Sequence, residues 1–407
     1  LAEARRRLGF EELFAITLAS LLNKQQFSKD SGVAIPFKEV VAKEFTGVLP
    51  YQLTNAQRKV TWQIYKDLAA KKPMNRLVEG DVGSGKTVVA AMAAIMAIRA
   101  GYQVAFMAPT EILARQHAVT MHEMLSLVGL ESEVLLVVGR MKRDQKQAAH
   151  ARIKDGHAKL IVGTHALITD KVDLHKLGLV IVDEQHRFGV DQRKKLQAKA
   201  GAMPHVLSMT ATPIPRTLAL TLYGELDISI LDEMPPGRSP VITEIVSPNS
   251  RKQLYEKVEC ELQAGRQMFV VCPLIQDSDM LKVLSAEKVY EGLSKKVFKH
   301  RKVGLLHGKM KPEEKDATME LFVAGELDIL VATTVIEVGV NVPNATIMMI
   351  EGAERFGLAQ AHQLRGRVGR GSHQGYCYVV MSDSKEPTRR LKALQNTTDG
   401  FKLAELD

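Results

Sequence analysis

The sequence of 407 residues contains little cysteine and has no long hydrophobic run. Its three cysteines are Cys260, Cys272 and Cys377, and no two of them form a C-x-x-C pair. A disulfide framework and a zinc site are therefore not indicated, and we expect buried packing residues in a reducing compartment. The longest apolar run, Val88–Ile98, is far shorter than the roughly 20 residues that cross a bilayer. With no signal-peptide pattern near the start, the sequence predicts a cytoplasmic protein without a membrane partner.

Basic residues outnumber acidic ones. Lysine and arginine total 55 against 46 for aspartate and glutamate, which gives a net charge of +9. Phosphate backbones attract clustered basic side chains, so a polyanionic partner is one interpretation. A basic protein that binds no nucleic acid is equally compatible with this excess. The length exceeds what a single hydrophobic core supports, so we expect two or three domains.

Short apolar runs alternate with longer amphipathic segments in two series, which is typical of parallel sheets with crossover helices. The first series comprises Leu77–Val78, Val104–Met107, Leu160–Val162, Leu179–Val182 and Val206–Met209, and the second Met268–Val271, Val303–Leu306, Ile329–Val331 and Ile347–Ile350. Pro235, Pro236 and Gly237 punctuate the chain between them. We predict an α/β protein with two tandem lobes. The predicted domains are a helical packing segment at 1–50, lobe 1 at 51–232, a hinge at 233–240, lobe 2 at 241–385 and the beginning of a helical hairpin at 386–407.

The first 24 residues repeat apolar side chains at helical spacing, and a second short helix is predicted from Phe37 to Phe45. The stripe consists of Leu8, Leu13, Phe14, Leu18, Leu21 and Leu22. We expect it to pack against another domain. The sequence begins with Leu1 and stops at Asp407 inside a helical pattern, which is typical of a fragment of a longer protein.

One glycine-rich segment matches G-x-x-x-x-G-K-[ST], follows an apolar strand and precedes an alanine-rich helix. Its residues are Gly80, Asp81, Val82, Gly83, Ser84, Gly85, Lys86 and Thr87. Glycines let the backbone fold around phosphates at a helix N-terminus. Lys86 is expected to reach the β- and γ-phosphates of ATP, and the Thr87 hydroxyl to bind Mg²⁺. A chance match would arise on the order of once in a hundred chains of this length.

Two acids end the predicted strand at Leu179–Val182. Asp183 suits a magnesium ligand acting through a water, and Glu184 suits the base that orients the attacking water. A solvated turn is the alternative for such a pair. His186 follows, and it either senses the nucleotide or has a structural role. Upstream, Gln57 could pair with the adenine edge, although a helix cap beginning at Thr54 explains the same residues.

The second series has no phosphate loop but contains two closely spaced arginines in the run Gln363–Arg370. Arg367 and Arg370 are predicted to be arginine fingers that stabilise charge on the transferring phosphoryl group. A basic nucleic-acid patch without a catalytic role is the alternative for either residue.

Together, these motifs resemble the superfamily 2 helicases, whose two RecA-like lobes bind ATP between them and nucleic acid across their tops. The resemblance covers residues 54–370 and includes Ala108–Glu111, Gly163–His165, Thr210–Pro213, Leu306–Met310 and Ala332–Val340. It implies phosphate contacts with the nucleic acid at Pro109, Thr110, Gly163, Thr164, His165, His307, Lys309 and Thr333. It also implies coupling roles for Thr210, Thr212 and Gln363 and a nucleotide contact at Gly339.

Three segments narrow the resemblance to the RecG family of bacterial branch-remodelling helicases. They are Asp183–Val190, Met209–Leu218 and Glu354–Leu358. Transcription-repair coupling factor shares much of this pattern but usually differs at the positions of Gln185 and His186. The resemblance implies an ATP- and Mg²⁺-dependent monomer in the bacterial cytosol and nucleoid. Its expected partners are forked DNA, Holliday junctions and a single-stranded-DNA-binding protein. The family's branch-splitting wedge domain has no counterpart in residues 1–50, and its helical hairpin is only begun.

Two other functions are compatible with parts of this pattern. An RNA helicase of the D-E-A-D type is disfavoured by Gln185 and His186, and by Thr210 where that type has serine. A nucleotide-gated binding module without hydrolysis is disfavoured because all the expected catalytic residues are present. Comparing ATP turnover with RNA and with DNA would distinguish an RNA helicase from a DNA helicase. Any ATP turnover would exclude a binding module without hydrolysis.

Overall fold

The chain forms two compact units, Leu1–Pro235 and Pro236–Asp407, which are called unit 1 and unit 2 below. Their division falls inside the predicted hinge. The computed structural model describes residues 2–27, 31–139, 141–164, 167, 172–184, 203–212, 224, 226–236, 239–273, 279–333, 340–371, 373–383 and 386–407. Across these ranges, no helix has both the length and the hydropathy required to span a membrane.

Unit 1 is built on a seven-stranded sheet in which all strands run parallel. Its strands are β1 (Asn75–Gly80), β2 (Gln103–Met107), β3 (Val134–Val137), β4 (Leu160–Gly163), β5 (Leu177–Asp183), β6 (His205–Thr210) and β7 (Asp227–Leu231). The order across the sheet is β3-β4-β2-β5-β6-β1-β7. The central strands are buried along their length because helices cover a parallel sheet on its faces.

Six helices of unit 1 lie in the described ranges. They are α1 (Ala2–Phe27), α2 (Glu39–Val48), α3 (Asn55–Ala69), α4 (Lys86–Arg99), α5 (Glu111–Ser126) and α6 (Arg143–Lys154). Helix α4 is rich in alanine, the best helix former, and its residues from Val88 to Ile98 are all buried. A helix that is apolar on every side belongs in a core. Its position fixes the phosphate loop that precedes it.

Unit 2 repeats this architecture with a six-stranded parallel sheet in the order β10-β11-β9-β12-β13-β8. Its strands are β8 (Ile242–Val246), β9 (Gln267–Val271), β10 (Val303–Leu306), β11 (Ile329–Ala332), β12 (Ala345–Glu351) and β13 (Tyr376–Val380). Its described helices are α7 (Arg251–Gln263), α8 (Asp279–Gly292), α9 (Pro312–Val323), α10 (Leu358–Arg365), α11 (Arg389–Asn396) and α12 (Gly400–Leu406). The α/β prediction and the parallel sheets are confirmed.

A buried glutamine occupies the same position in both sheets. Gln103 begins β2 and donates to two carbonyls, those of Ile153 and Ala158, at 2.8 Å each. Gln267 begins β9 and donates to the carbonyls of Phe322 and Leu327 at 2.6 and 2.8 Å. Each amide therefore ties the first residue of a strand to the end of a helix and the turn after it. Buried amides must be hydrogen-bonded, so these side-chain hydrogen bonds fix where the two strands begin.

His205, the first residue of β6, is hydrogen-bonded to the segment that follows α1. Its Nδ1 accepts a hydrogen bond from the Met74 backbone N–H at 3.0 Å, and its Nε2 contacts the Val33 carbonyl. The ring is fully buried. Burial lowers the pKa of His205 below 6.5, and the Val33 carbonyl and the Asp67 charge oppose this effect only in part. His205 is therefore neutral in the folded protein at pH 7, with the proton on Nε2.

Acidification should destabilise unit 1 through His205. The pKa of this residue is lower in the folded state, so the unfolded chain binds more protons once the pH falls below about 6.5. The stability contribution is complete above pH 6.5 and is lost as the pH falls through the folded-state pKa. We expect urea unfolding of unit 1 to show this loss between pH 7.5 and pH 5.

The variant His205→Phe tests the assignment. It should unfold more easily than the wild type at pH 7.5, by about 1 to 3 kcal/mol, because the buried partners of His205 lose their hydrogen bonds. Its pH dependence should be flatter, and equal slopes in both proteins would contradict this assignment.

Some sequence predictions need correction. Cys260 is exposed, whereas Cys272 and Cys377 are buried as expected. Helix α2 starts and ends later than the predicted range from Phe37 to Phe45. The apolar side chains of the α1 stripe are exposed in unit 1, so their packing against another domain stays a prediction.

Candidate nucleotide and nucleic-acid site

Five predicted motifs of unit 1 follow the carboxyl ends of neighbouring parallel strands. The phosphate loop follows β1, Ala108–Glu111 follows β2, Thr164 follows β4, Asp183 ends β5 and Thr210 ends β6. The strand register pairs Met107 with Gly163 and Asp183 with Met209. These ends meet at one edge of the sheet, where ligands of open α/β folds bind. The sheet therefore brings the nucleotide motifs and the nucleic-acid motifs of this unit together.

The phosphate loop has the backbone that an anion cradle requires. Gly83 and Gly85 have φ values of 87° and 85°, in the left-handed region that favours glycine. Helix α4 begins at Lys86, and its N-cap residue Gly85 provides no side-chain cap. A glycine has no side chain with which to cap the first N–H groups of α4, and N–H groups at a helix N-terminus suit a phosphate.

Lys86 folds back onto the loop that precedes it. Its Nζ donates to the carbonyls of Gly80 and Asp81 at 2.6 and 2.9 Å. A phosphate is a stronger acceptor for an ammonium group than a neutral carbonyl. Lys86 therefore lies within the loop at a position from which it can exchange these carbonyls for phosphate oxygens.

The side chain of Gln57, on helix α3, is hydrogen-bonded to the phosphate loop. Its Oε1 accepts from the Thr54 N–H at 2.9 Å, which with the Thr54 hydroxyl forms a capping box at the start of α3. Its Nε2 donates to the Ser84 carbonyl at 2.8 Å. A Cβ on Gly85 would stand 2.2 Å from this Nε2, so glycine is needed there for space as well as for φ. The helix-cap interpretation of Thr54 is correct, and adenine recognition by Gln57 stays a prediction.

Asp183 lies at the end of β5 and is held by a histidine that the sequence did not single out. His117 Nε2 is 2.7 Å from Asp183 Oδ2, and both side chains are about one-seventh exposed, at 14% and 15%. Burial raises the pKa of Asp183, but the hydrogen bond from His117 and the charges of His117 and Lys86 outweigh it. The backbone N–H of Glu184 adds a further hydrogen bond. The net pKa is below its ordinary value, so the carboxylate is ionised at neutral pH.

Glu184 has an unusual backbone conformation. Its φ of 50° makes it the one non-glycine residue with positive φ in the described part of the chain. The left-handed region costs an L-residue roughly 1–2 kcal/mol. Such strain persists where function requires a fixed side-chain direction, so it agrees with the predicted role of Glu184.

The predicted nucleic-acid contacts of unit 1 lie next to one another where they are described. The Ala108 N–H donates to the Gly163 carbonyl at 2.8 Å, which joins the segments that carry Pro109 and Thr164. Thr110 caps α5 by accepting from the Leu113 N–H. Thr210 accepts from the Thr212 N–H at 3.1 Å, so the two predicted coupling residues are in direct contact. His165 and His186 lie outside the described residues.

In unit 2 the predicted contacts differ in exposure. Lys309 is exposed and His307 is half-buried, whereas Thr333, directly after β11, is only 3% exposed. Thr333 is therefore poorly placed for a side-chain contact with a nucleic acid. Gln363 is half-buried on α10. Gly339 lies outside the described residues.

The three arginines of the run 363–370 differ in their contacts and exposure. Arg365 donates to the carbonyls of Leu394 and Thr397 at 2.7 Å each and fixes the end of α11, so its role is structural. Arg367 is buried, at 3% exposure. Arg370 is half-buried and donates to the Gly366 carbonyl at 3.3 Å. Arg370 is the more accessible of the two predicted fingers.

The side chains at the sheet edge suit magnesium bound together with a nucleotide. Thr87 and Asp183 offer a hydroxyl and a carboxylate, the hard oxygen ligands that Mg²⁺ prefers. Among the described residues, no group of three or more histidine, cysteine or acidic side chains could hold a metal by itself. Mg²⁺ usually keeps several waters and binds through one or two protein oxygens together with phosphate oxygens.

Two family profiles match the chain. The DEAD/DEAH box helicase profile matches residues 54–221, and that of the helicase conserved C-terminal domain matches residues 250–372. The ATP-dependent DNA helicase RecG of Synechocystis sp. is 49% identical over 410 residues, which cover 100% of this chain and 49% of the relative. The protein of the same name from Aquifex aeolicus is 50% identical over 408 residues, covering 99% and 51%.

A solved structure of RecG bound to a three-way DNA junction matches with a TM-score of 0.88 and 46% identity, covering 100% of this chain and 53% of that one. The chain thus spans about half the length of these relatives. Its two α/β units are RecA-like helicase lobes, and the chain belongs to the RecG family of helicases.

Proposed function

We propose that this chain is the motor of an ATP-dependent DNA helicase that remodels branched DNA, such as stalled forks and Holliday junctions. One observation supports it above the others. A single sheet edge of unit 1 carries the phosphate loop, the Asp183–Glu184 pair and the segments at 108–110 and 163–164. The segments proposed for nucleotide chemistry and those proposed to contact nucleic-acid phosphates are therefore adjacent, as a motor requires.

In the proposed reaction each group of the site has a distinct task. The α4 N-terminus and Lys86 bind the phosphates, and Thr87 and Asp183 hold Mg²⁺, which when bound neutralises charge on the phosphates. Glu184 orients the attacking water and accepts its proton. Arg367 and Arg370 stabilise the negative charge that develops on the transferring phosphoryl group.

The nucleic acid is proposed to contact the chain mainly through its phosphates. The proposed contacts are Pro109, Thr110, Gly163, Thr164, His165, His307 and Lys309, and Thr333 through its backbone only. Phosphate contacts carry no base sequence, which suits an enzyme that recognises the shape of a junction. We further propose a cytosolic monomer in bacteria with a single-stranded-DNA-binding protein as a partner, on family resemblance alone.

Binding measurements test the substrate class. Labelled forked DNA, linear duplex, single-stranded DNA and RNA of matched length would be titrated with the chain and a non-hydrolysable ATP analogue. We expect the fork to bind most tightly, and all affinities to fall with salt because each phosphate contact releases counterions. RNA binding as tight as fork binding would favour the RNA-helicase alternative instead.

A further inference from the structure

The carboxylate predicted to hold magnesium is hydrogen-bonded to a side chain outside the nucleotide motifs. His117 lies on α5, seven residues after the helix N-cap Thr110, and its Nε2 reaches Asp183 Oδ2 at 2.7 Å. The two residues are 66 positions apart in the chain. Only the packing of α5 beside the sheet brings them together.

The direction of this hydrogen bond follows from the chemistry of the pair. An ionised carboxylate can only accept, so the His117 Nε2 must carry the hydrogen. A carboxylate has about four lone-pair sites, and His117 uses one of them on Oδ2. Asp183 therefore keeps capacity for a magnesium-bound water while its plane is fixed by His117.

The imidazole is itself held in place. Its ring packs against Phe106 of β2 with 4.6 Å between centroids and an interplanar angle of 40°. Phe106 is fully buried, and β2 is hydrogen-bonded to β5, the strand that ends at Asp183. The donor ring thus packs against one strand, and the acceptor ends the adjacent strand of the same sheet. A rigid donor of this kind lowers the freedom of the carboxylate that it contacts.

We propose that His117 is a positioning residue for magnesium, which orients the Asp183 carboxylate toward the cation that accompanies ATP. This inference rests on the proposed function, because it takes Asp183 as the magnesium ligand. Groups that hydrogen-bond to metal ligands commonly change metal affinity about 10- to 100-fold when removed. If the pair were only structural, removing it would change the stability of unit 1 but not the Mg²⁺ dependence of nucleotide binding.

The test measures nucleotide binding without turnover. A fluorescent, non-hydrolysable ATP analogue is titrated at increasing Mg²⁺, and the Mg²⁺ concentration that gives half of the affinity gain is determined. His117→Leu should raise this midpoint about 10- to 100-fold while leaving affinity without Mg²⁺ unchanged. His122→Leu is the matched control, since His122 is exposed on the same helix, and its midpoint should equal that of the wild type.

Two amide variants keep the test decisive if His117→Leu does not fold. The amide nitrogen of His117→Gln extends nearly as far as Nε2 and should restore the wild-type midpoint, whereas that of His117→Asn stops short and should behave as His117→Leu. Equal midpoints in the wild type, Asn and Gln variants would overturn the proposal. So would a Gln variant shifted as far as the Asn variant. If the wild type itself gained no affinity from Mg²⁺, the magnesium role of Asp183 in the proposed function would fail instead.

Discussion

Glu184→Gln should bind ATP normally and hydrolyse it about a hundredfold to ten-thousandfold more slowly than the wild type, because a positioned general base contributes that factor. Glutamine keeps the size of the side chain and its ability to orient a water but does not accept the proton. The proposed phosphate-binding groups are the α4 N-terminus and Lys86, and this change leaves both intact. Steady-state phosphate release and equilibrium binding of a fluorescent ATP analogue measure the two quantities separately.

The backbone of Glu184 supplies an internal control for this experiment. Its φ of 50° is relaxed by glycine, so Glu184→Gly should be more stable than Glu184→Gln by about 1 kcal/mol. Both variants should hydrolyse ATP far more slowly than the wild type. A variant that is more stable and yet slow separates the role of the carboxylate from damage to the fold. Unchanged turnover in Glu184→Gln would remove Glu184 from the role of base.

Arg370→Ala should lower maximal turnover about 10³- to 10⁵-fold, the range in which arginine fingers contribute to phosphoryl transfer. The affinity for ATP should change far less, because the finger acts on charge that develops in the transition state. Arg370 is half-buried and bound to the Gly366 carbonyl, so it can be removed with limited damage to unit 2. Turnover at saturating ATP and the KM for ATP are the readouts.

Two related variants refine the interpretation of Arg370. Arg370→Lys should recover little activity, because an ammonium group lacks the planar, bidentate geometry of guanidinium. Arg365→Ala should instead lower the thermal stability of unit 2, since this side chain is bonded to the carbonyls of Leu394 and Thr397. A normal rate in Arg370→Ala would exclude the arginine-finger assignment for this residue.

The sequence predicts the α/β pattern well where strands are buried on both faces. Every predicted strand is present, but β3, β7, β8 and β13 were missed. Three of these lie at sheet edges, where fewer neighbours demand apolar side chains. β7 and β8, with the sequences D-I-S-I-L and I-T-E-I-V, mix polar and apolar residues and so lack a continuous apolar run. Helix ends were less well predicted, as at α2, where the chain provides no side-chain cap.

Within the candidate site, contiguous motifs were predictable and long-range contacts were not. The phosphate loop is a single segment whose spacing carries its chemistry. His117 had no such signal, since its partner Asp183 is distant in sequence and a lone helical histidine is commonplace. The structural role of Arg365 also had no signal in the sequence, because it depends on hydrogen bonds to the distant carbonyls of Leu394 and Thr397. Cys260 was misjudged because burial depends on which face of α7 it occupies.

ATP turnover with different nucleic acids tests the central claim most directly, namely that the site at Gly80–Thr87 powers a motor on branched DNA. The rate would be measured with forked DNA, linear duplex, single-stranded DNA and RNA, each at two salt concentrations. We predict that forked DNA stimulates turnover most and that the stimulation weakens as salt rises, since phosphate contacts release counterions. Stimulation by RNA equal to that by forked DNA, or turnover that no nucleic acid changes, would contradict the account.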